Sequence, residues 1–173
     1  MFENNVYIVW EDKTDPENTE VFFRASADAG KTFGEIVNLS LNPNDSHYTR
    51  LAASDGAVFV LWSDEGIGNG DILLRTSTDN GATFDGPINL SNNSGWSASP
   101  QIVAPKSTDF AYVVWEDSSP GNIDIFFRTI TNSGEAVSEE GKIISPFNMP
   151  VIFGIGAAIA GINAFFSIRK HRK

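Results

Sequence analysis

The chain has 173 residues, a formal net charge of −10 and no cysteine. The lack of cysteine excludes disulfides and thiolate metal sites, and the acidic surface disfavours nucleic acid as a partner. The 13 phenylalanines, the 15 glycines and the frequent asparagines favour strands and turns over helices.

A six-residue pattern with a tryptophan in fourth place recurs along the first two thirds of the chain. Its copies are residues 7–12, 59–64 and 112–117, and their tryptophans are 52 and then 53 residues apart. In the best preserved copy, four apolar runs at about 58–62, 71–77, 87–90 and 101–104 are separated by turn residues. Four strands in about 50 residues is the size of one propeller blade.

The repeat therefore predicts an all-β fold, a partial β-propeller of about three four-stranded blades spanning residues 1–146. A β-sandwich is the alternative, but a sandwich does not require so regular a period. The first copy lacks its first strand, so we expect fewer than three complete blades. The missing blades then come from upstream sequence or from another chain, including a second copy in a homo-oligomer.

Two aligned octapeptides follow the third strand of the first two repeats. They are Ser26, Asp28, Gly30, Thr32 and Phe33 in one, and Ser77, Asp79, Gly81, Thr83 and Phe84 in the other, within the pattern Ser-x-Asp-x-Gly-x-Thr-Phe. In such a turn the aspartate can accept backbone hydrogen bonds and the glycine can take a positive φ, while the phenylalanine packs beneath. These roles are structural.

The pattern resembles the Asp box, and the module over about residues 5–145 resembles the Asp-box (bacterial neuraminidase) repeat family of sialidase-like β-propellers. The resemblance implies that the boxes are fold elements remote from any active site. In overall character the chain is similar to archaeal surface proteins with Asp-box repeats.

Sialidases of that family use three arginines, a tyrosine–glutamate nucleophile pair and an aspartate acid/base. Arg24, Arg75 and Arg128 occupy the same place on successive third strands, so the symmetry of the blades keeps them apart. Arg50 is the one well-placed arginine and Tyr48 the one candidate nucleophile, so the sequence supplies neither the arginine triad nor the nucleophile pair. We therefore predict no catalytic residues. The alternative is the C-terminal part of an exo-sialidase-like glycoside hydrolase whose catalytic residues lie in upstream blades.

Alternating strand directions place the remaining loops at the end of the blades opposite the Asp boxes. His47, Tyr48, Arg50 and Trp96 are the candidate ligand-binding residues there, because aromatic rings beside polar groups suit a glycan or a protein. Trp96 filling a gap between blades is the alternative. The acidic loops could bind calcium, but their spacing is not that of an EF-hand, and we favour solvated loop charge over a calcium site. We predict no metal site and no other cofactor.

Residues 149–168 contain no charged side chain. At 1.5 Å per residue this run covers about 30 Å, the thickness of a hydrocarbon core. A single transmembrane helix is predicted at 147–168, with a buried helix of a soluble domain as the alternative. The basic tail 169–173 predicts a cytoplasmic C-terminus and an extracytoplasmic β module in the cell membrane.

The start of the sequence shows no signal peptide. We therefore expect either insertion through the C-terminal segment alone or a chain that is the C-terminal part of a longer protein. The sequence as a whole indicates a membrane-anchored module for surface binding or envelope structure. A stalk that binds nothing is a third alternative.

Overall fold

The structure is a computed structural model that describes residues 4–66, 69–119, 121–137 and 141–144. Within these residues it contains strands, turns and loops and no α-helix. The strands are β1 (Val6–Asp15), β2 (Asn18–Ser26), β3 (Val37–Asn38), β4 (Ser46–Ser54), β5 (Ala57–Asp64), β6 (Asp71–Ser77), β7 (Ile88–Asn89), β8 (Ser97–Val103), β9 (Phe110–Asp117), β10 (Asp124–Thr131) and β11 (Gly141–Ile144).

These strands form three antiparallel meanders in chain order. The first sheet has the order β1-β2-β3, the second β4-β5-β6-β7 and the third β8-β9-β10-β11. The all-β prediction is confirmed, and the first sheet has three strands among the described residues. The predicted strand bounds need correction, since the run expected at 101–104 begins at Ser97 and the run expected at 87–90 pairs only at Ile88–Asn89.

Turn chemistry explains where the first hairpin of the second sheet closes. Asp55 and Gly56 have φ values of 47° and 86°, the left-handed conformations that a two-residue type I′ turn requires. The Asp-Gly pair matches the residues that adopt them at lowest cost. The turn fixes the register in which Ser54 lies opposite Ala57.

The apolar residues lie between the sheets, in two layers. One layer, which includes Phe23, Val58 and Val60, fills the space between the first and second sheets. The other, which includes Phe59 and Val113, fills the space between the second and third. Every residue of β5 is buried, since β5 contributes to both layers through its alternate side chains.

The first sheet has no neighbour on its other side among the described residues, and its sequence shows the consequence. Val6 and Ile8 are 37% and 42% exposed, whereas the equivalent residues Val58 and Val60 of the second repeat are fully buried. Apolar side chains at these positions fit a sheet that packs against a preceding blade.

The predicted membrane span 147–168 and the basic tail 169–173 lie outside the described residues. Among the residues that the structure does describe, no helix has the length and hydropathy needed to cross a membrane.

The glycine of the Asp box lies where one sheet meets the sheet before it. A Cβ on Gly81 would come within 2.7 Å of Cζ of Phe23, a buried ring of the first sheet. A Cβ on Gly134, the matching glycine of the third repeat, would clash with Ile88 of the second. Gly30 has the same left-handed φ, but the nearest atom to its added Cβ would be 3.9 Å away, because no sheet precedes the first one in the part of the chain that the structure describes.

Gly30 and Gly81 give a matched pair of substitutions. Gly30→Ala removes only the freedom to adopt a positive φ, so we expect a loss of about 1–2 kcal/mol in the free energy of unfolding. Gly81→Ala adds the clash with Phe23, so we expect a further loss of about 1–3 kcal/mol. Urea titration of both variants measures the difference. Equal losses would show that the second box does not pack against the first sheet.

Candidate functional site

The three sheets present two faces, one at each end of their strands. The box face carries the Asp boxes, between β2 and β3 and between β6 and β7, together with the β4–β5 turn. The loop face, at the other end, carries the β3–β4, β5–β6, β7–β8 and β9–β10 connections. The predicted structural residues and the predicted binding residues are therefore at opposite ends of the module.

Both Asp boxes have the same hydrogen bonds, centred on the aspartate. In the first box Oδ1 of Asp28 accepts bonds from the hydroxyl of Ser26 at 2.8 Å and the backbone N–H of Thr32 at 2.8 Å. Its Oδ2 accepts the hydroxyl of Thr32 at 2.7 Å, while Oγ of Ser26 accepts the N–H of Gly30 at 2.9 Å. Asp79 binds its own turn in the same way.

The pKa of these box carboxyls reflects the donors. The hydroxyl and the backbone N–H of Thr83, together with the Ser77 hydroxyl, lower the pKa of Asp79 to about 2. The equivalent groups of Thr32 and Ser26 lower the pKa of Asp28 to about 2 as well. Both carboxylates are thus held ionised within a turn.

The box phenylalanines have different neighbours. Phe84 packs edge-on against Phe23 of the preceding sheet, with ring centroids 4.8 Å apart. Phe33 lies under the guanidinium of Arg24, 5.7 Å from the ring centroid. Only Phe84 therefore joins two sheets.

A buried carboxylate orders the opposite end of each complete sheet. Oδ2 of Asp64 accepts hydrogen bonds from the indole N–H of Trp62 at 3.1 Å, the hydroxyl of Ser46 at 3.1 Å and the side-chain amide of Asn42. Its Oδ1 accepts the N–H of Gly66 at 2.9 Å. We call this arrangement the carboxylate hub.

The third sheet repeats the hub. Oδ2 of Asp117 accepts bonds from Trp115 at 3.0 Å, Ser97 at 2.8 Å and Asn93 at 2.8 Å. Burial opposes ionisation of Asp117, but the hydrogen bonds from Ser119, Asn93 and Trp115 outweigh it, so its pKa lies below the ordinary value. Asp64 and Asp117 are both fully buried.

The hubs change the interpretation of the acidic loops. Four aspartates of the predicted acidic loops are buried rather than exposed: Asp64, Asp71, Asp117 and Asp124. Asp71 accepts the hydroxyl of Ser91 at 2.7 Å. These carboxylates are parts of the blade framework, and the accessible acidic groups near the predicted binding residues are Glu11, Asp45 and Glu65.

His47 lies among those three carboxylates. Its Nδ1 is 3.8 Å from Glu11 Oε2 and its Nε2 is 4.0 Å from Asp45 Oδ2. Thr19, whose backbone N–H donates to Asp45 Oδ1 at 2.7 Å, lowers the pKa of Asp45. One ligand atom each from Asp45, His47 and Glu65 lies within 4.8 Å of the others. That separation is wider than the roughly 3.5 Å between donors around one tetrahedral zinc, so the side chains would have to close in to hold a cation.

Tyr48 is turned outward by an irregularity in β4. The register with β5 shifts between His47 and Arg50, and Tyr48 has a φ of 56°. Such a bulge redirects a side chain, and a positive φ costs a bulky residue about 1–2 kcal/mol. Tyr48 is 50% exposed, and its ring stands edge-on to His47, with centroids 6.3 Å apart.

Trp96 is held on the same face by the next blade. Its N–H donates to Ser118 Oγ at 2.8 Å and its carbonyl accepts the Ser118 N–H at 2.9 Å. The ring covers Gly70, where a Cβ would be 2.9 Å from Cδ1, yet 42% of the residue remains exposed. Trp96 thus packs on a neighbouring loop and also offers part of its ring to solvent.

The four arginines are dispersed. Arg50 is half-buried on β4 and donates to the carbonyl of Thr49 at 2.8 Å. Arg24 donates to the carbonyl groups of Gly34 and Phe33, on the box side of β2. Burial lowers the pKa of Arg75 on β6, and Arg128 lies on β10. Each third-strand arginine belongs to a different sheet, as the repeat predicts.

One cleft lies on the box face, between the second and third sheets. It has a volume of about 350 Å³ and is lined by groups such as Ser54, Asp55, Thr108, Asp109 and Asn132. It contains no aromatic ring for stacking on a sugar. None of the candidate binding residues lines this cleft, since they lie at the other end of the module.

Sequence analysis missed the asparagines and serines that complete the hubs. Asn42 and Ser46 are four residues apart, as are Asn93 and Ser97, and the two asparagines precede the tryptophan of the repeated pattern by 20 and 22 residues. This spacing could have been found by aligning the loops as well as the strands.

Comparison with known proteins supports the fold. No family model and no curated protein matches the chain. Among solved structures it is similar to the Hadza microbial sialidase Hz136, with a TM-score of 0.54 and 12% identity, covering 72% of this chain and 32% of that one. It is also similar to the α-L-arabinofuranosidase Arb93a from Fusarium graminearum in complex with an iminosugar inhibitor, with a TM-score of 0.55 and 13% identity, covering 82% and 45%.

A structure of the Fusarium graminearum GH93 α-L-arabinofuranosidase with arabinobiose gives a TM-score of 0.53 at 12% identity, again covering 82% of this chain and 45% of that one. These similarities show a sialidase-like β-propeller fold. The chain spans between about a third and a half of the length of these structures.

Proposed function

We propose that this chain is a membrane-anchored, outward-facing propeller segment that binds glycan through its loop face and does not itself catalyse a reaction. The observation that carries the proposal is the pair of half-exposed aromatic residues Tyr48 and Trp96, which adjacent sheets place on the same face. Carboxylate and imidazole groups of Asp45 and His47 accompany Tyr48 and can hydrogen-bond to sugar hydroxyls.

The arrangement of Tyr48 supports a binding role. A bulky residue at a positive φ is strained, and the third sheet has Ser99 in the matching position with the same φ of 56°. A small polar residue thus adopts the same backbone conformation, so the fold does not require an aromatic ring at this position. The strain is retained while the ring is presented to solvent, which motivates the assignment of a function to Tyr48.

The positions of the arginines do not suit a sialidase-like catalytic set. Bidentate recognition of a carboxylate by several arginines needs side chains that converge. Within the described part of the chain, Arg24, Arg75 and Arg128 are on the third strands of separate sheets. Arg50 alone is on a first strand, so the described blades supply no triad.

A glycan array probed with the full chain in detergent tests the binding proposal. We expect at least one class of glycan to bind, and Tyr48→Ala and Trp96→Ala each to weaken the binding about tenfold or more, which corresponds to about 1.4 kcal/mol. Ile36→Ala, which removes an exposed side chain on the box face, is the matched control and should bind as the wild type does. Binding of a protein ligand alone, or equal affinity in all variants, would contradict the proposal.

The membrane anchor is proposed from the uncharged run 149–168 and the basic residues Arg169, Lys170, Arg172 and Lys173. Because the chain has no cysteine, a single introduced cysteine can be labelled without background. In intact cells we expect Ser94→Cys to react with a membrane-impermeant maleimide and Lys173→Cys to react only after lysis. Labelling of both sites in intact cells, or release of the chain by carbonate washing, would refute the anchor.

The second candidate function is the C-terminal part of a glycoside hydrolase. It is favoured by the fold that the chain shares with propeller glycoside hydrolases, and by the chain spanning less than half of their length. In that case the catalytic groups lie outside these 173 residues, and the full-length product of the gene hydrolyses a glycoside that the present chain only binds.

A further inference from the structure

Four asparagines stand in sequons, the acceptor pattern Asn-x-Ser for N-glycosylation in which the middle residue is not proline. The sequons are residues 38–40, 44–46, 89–91 and 92–94. A glycan is bulky and has to project from the surface, so the asparagine that carries it must be accessible together with its serine. The environment of each sequon in the folded blades therefore distinguishes the four.

The serines of three sequons are buried and hydrogen-bonded within the blades. Ser40, Ser46 and Ser91 are 5%, 0% and 2% exposed. Ser40 and Ser91 each accept a backbone N–H, from β2 at 3.0 Å and from β6 at 3.1 Å. The hydroxyl of Ser46 is one of the donors to the carboxylate hub. These serines belong to the framework of the sheets.

The asparagines of the same three sequons are engaged as well. Asn38 and Asn89 lie on β3 and β7, and each accepts through Oδ1 the backbone N–H three residues further along, at 3.2 and 2.8 Å. The side-chain amide nitrogen of Asn44 packs so closely on Gly66 that a Cβ added to the glycine would clash with it. A glycan on Asn44 would displace that loop.

The fourth sequon has the opposite environment. Asn92 and Ser94 are both exposed, on the β7–β8 connection of the loop face. Their turn is held in place by its neighbours, since the backbone N–H of Asn92 donates to Oδ1 of Asn89 at 2.8 Å and the side-chain amide of Asn93 donates to Asp117 at 2.8 Å. An ordered turn thus exposes both residues that an acceptor needs.

The first repeat shows that the fold does not require this sequon. Leu41 and Pro43 stand there at the positions of Asn92 and Ser94. Leu41 has a φ of 50° and Asn92 a φ of 41°, so the same left-handed backbone forms with either residue. The preference of asparagine for that conformation explains an asparagine in the turn, but it does not explain the exposed serine two residues later.

We propose that Asn92 is the N-glycosylation site of this chain, and that its donor is a lipid-phosphate-linked oligosaccharide used by a transferase outside the cytoplasm. Nδ2 of Asn92 forms a bond to the anomeric carbon, while the bond from that carbon to the phosphate oxygen breaks. The lipid phosphate leaves with the electron pair of the broken bond, and one amide proton passes to a base. This inference rests on the proposed outward orientation of the β module.

Peptide mapping by mass spectrometry of the full chain, isolated from the membranes of its source cells, tests the site. Chymotrypsin cleaves after leucine and aromatic residues, so it separates the four sequon asparagines into different peptides and places Asn92 in peptide 91–96. We expect peptide 91–96 to carry the added mass of at least one sugar. The peptides that contain Asn38, Asn44 and Asn89 should be unmodified.

Substitutions at the exposed serine give the matched variants. Ser94→Ala should abolish the added mass on peptide 91–96, and Ser94→Thr should retain it, because threonine also completes an acceptor pattern. Asn38→Gln, which removes one of the other sequons, is the control and should leave peptide 91–96 modified. The inference is overturned if peptide 91–96 of the wild type carries no sugar, if Ser94→Ala retains the sugar, or if any of the three other asparagines is modified.

Maleimide labelling of Ser94→Cys in intact cells separates a failure of this inference from a failure of the proposed orientation. An unmodified peptide 91–96 in the wild type, together with labelling of Ser94→Cys from outside, overturns the glycosylation site and leaves the orientation standing. An unmodified peptide without labelling from outside overturns both.

Discussion

The structure depends on buried carboxylates that accept several hydrogen bonds at once. Burying an ionised group is costly unless its lone pairs are satisfied. Asp64 and Asp117 are satisfied by an indole, a hydroxyl, a side-chain amide and a backbone N–H. Because these donors come from different strands and loops, each carboxylate fixes the first strand, the second strand and the incoming loop of its sheet with respect to one another.

The Asp boxes order the other end of the same sheets by a related mechanism. There the carboxylate binds its own turn, and the turn presents a glycine whose missing side chain admits the preceding sheet. Hubs and boxes together hold each blade at both ends, while apolar residues fill the space between blades. The loop face can consequently carry strained or exposed residues such as Tyr48 and Trp96 without loss of the framework.

Much of the fold could be predicted because the repeat preserves it. The recurrence of the tryptophan pattern gives the number of blades and the missing strand, and the octapeptides give the boxes. The strand ends were harder to predict, since Ser97–Pro100 looks like a loop and is drawn into β8 by the hydroxyl bond to Asp117 and by pairing with β9. The bulge at Tyr48 has no sequence signal, because its residue differs between repeats while its backbone does not.

The candidate site was less predictable for a related reason. His47, Tyr48 and Trp96 could be assigned to one face from strand direction alone. The accessible acidic residues could not be predicted from the sequence. The aspartate of the repeated pattern is buried in the second and third sheets, whereas it is only half-buried in the first. Sequence gives the charge of such a group, while its exposure depends on a first strand that lies far away along the chain.

The most direct test of this account compares Asp64→Ala with Asp12→Ala by urea unfolding of the full chain in detergent. Asp64→Ala leaves the indole of Trp62 and the hydroxyl of Ser46 buried without an acceptor, so the account predicts a loss of about 3–5 kcal/mol in the free energy of unfolding. Asp12 stands on β1 as Asp64 stands on β5, but among the described residues no preceding strand donates a hydrogen bond to it, so Asp12→Ala should cause a much smaller loss. Equal and small losses in both variants would contradict the claim that each hub holds the strands of its own sheet together.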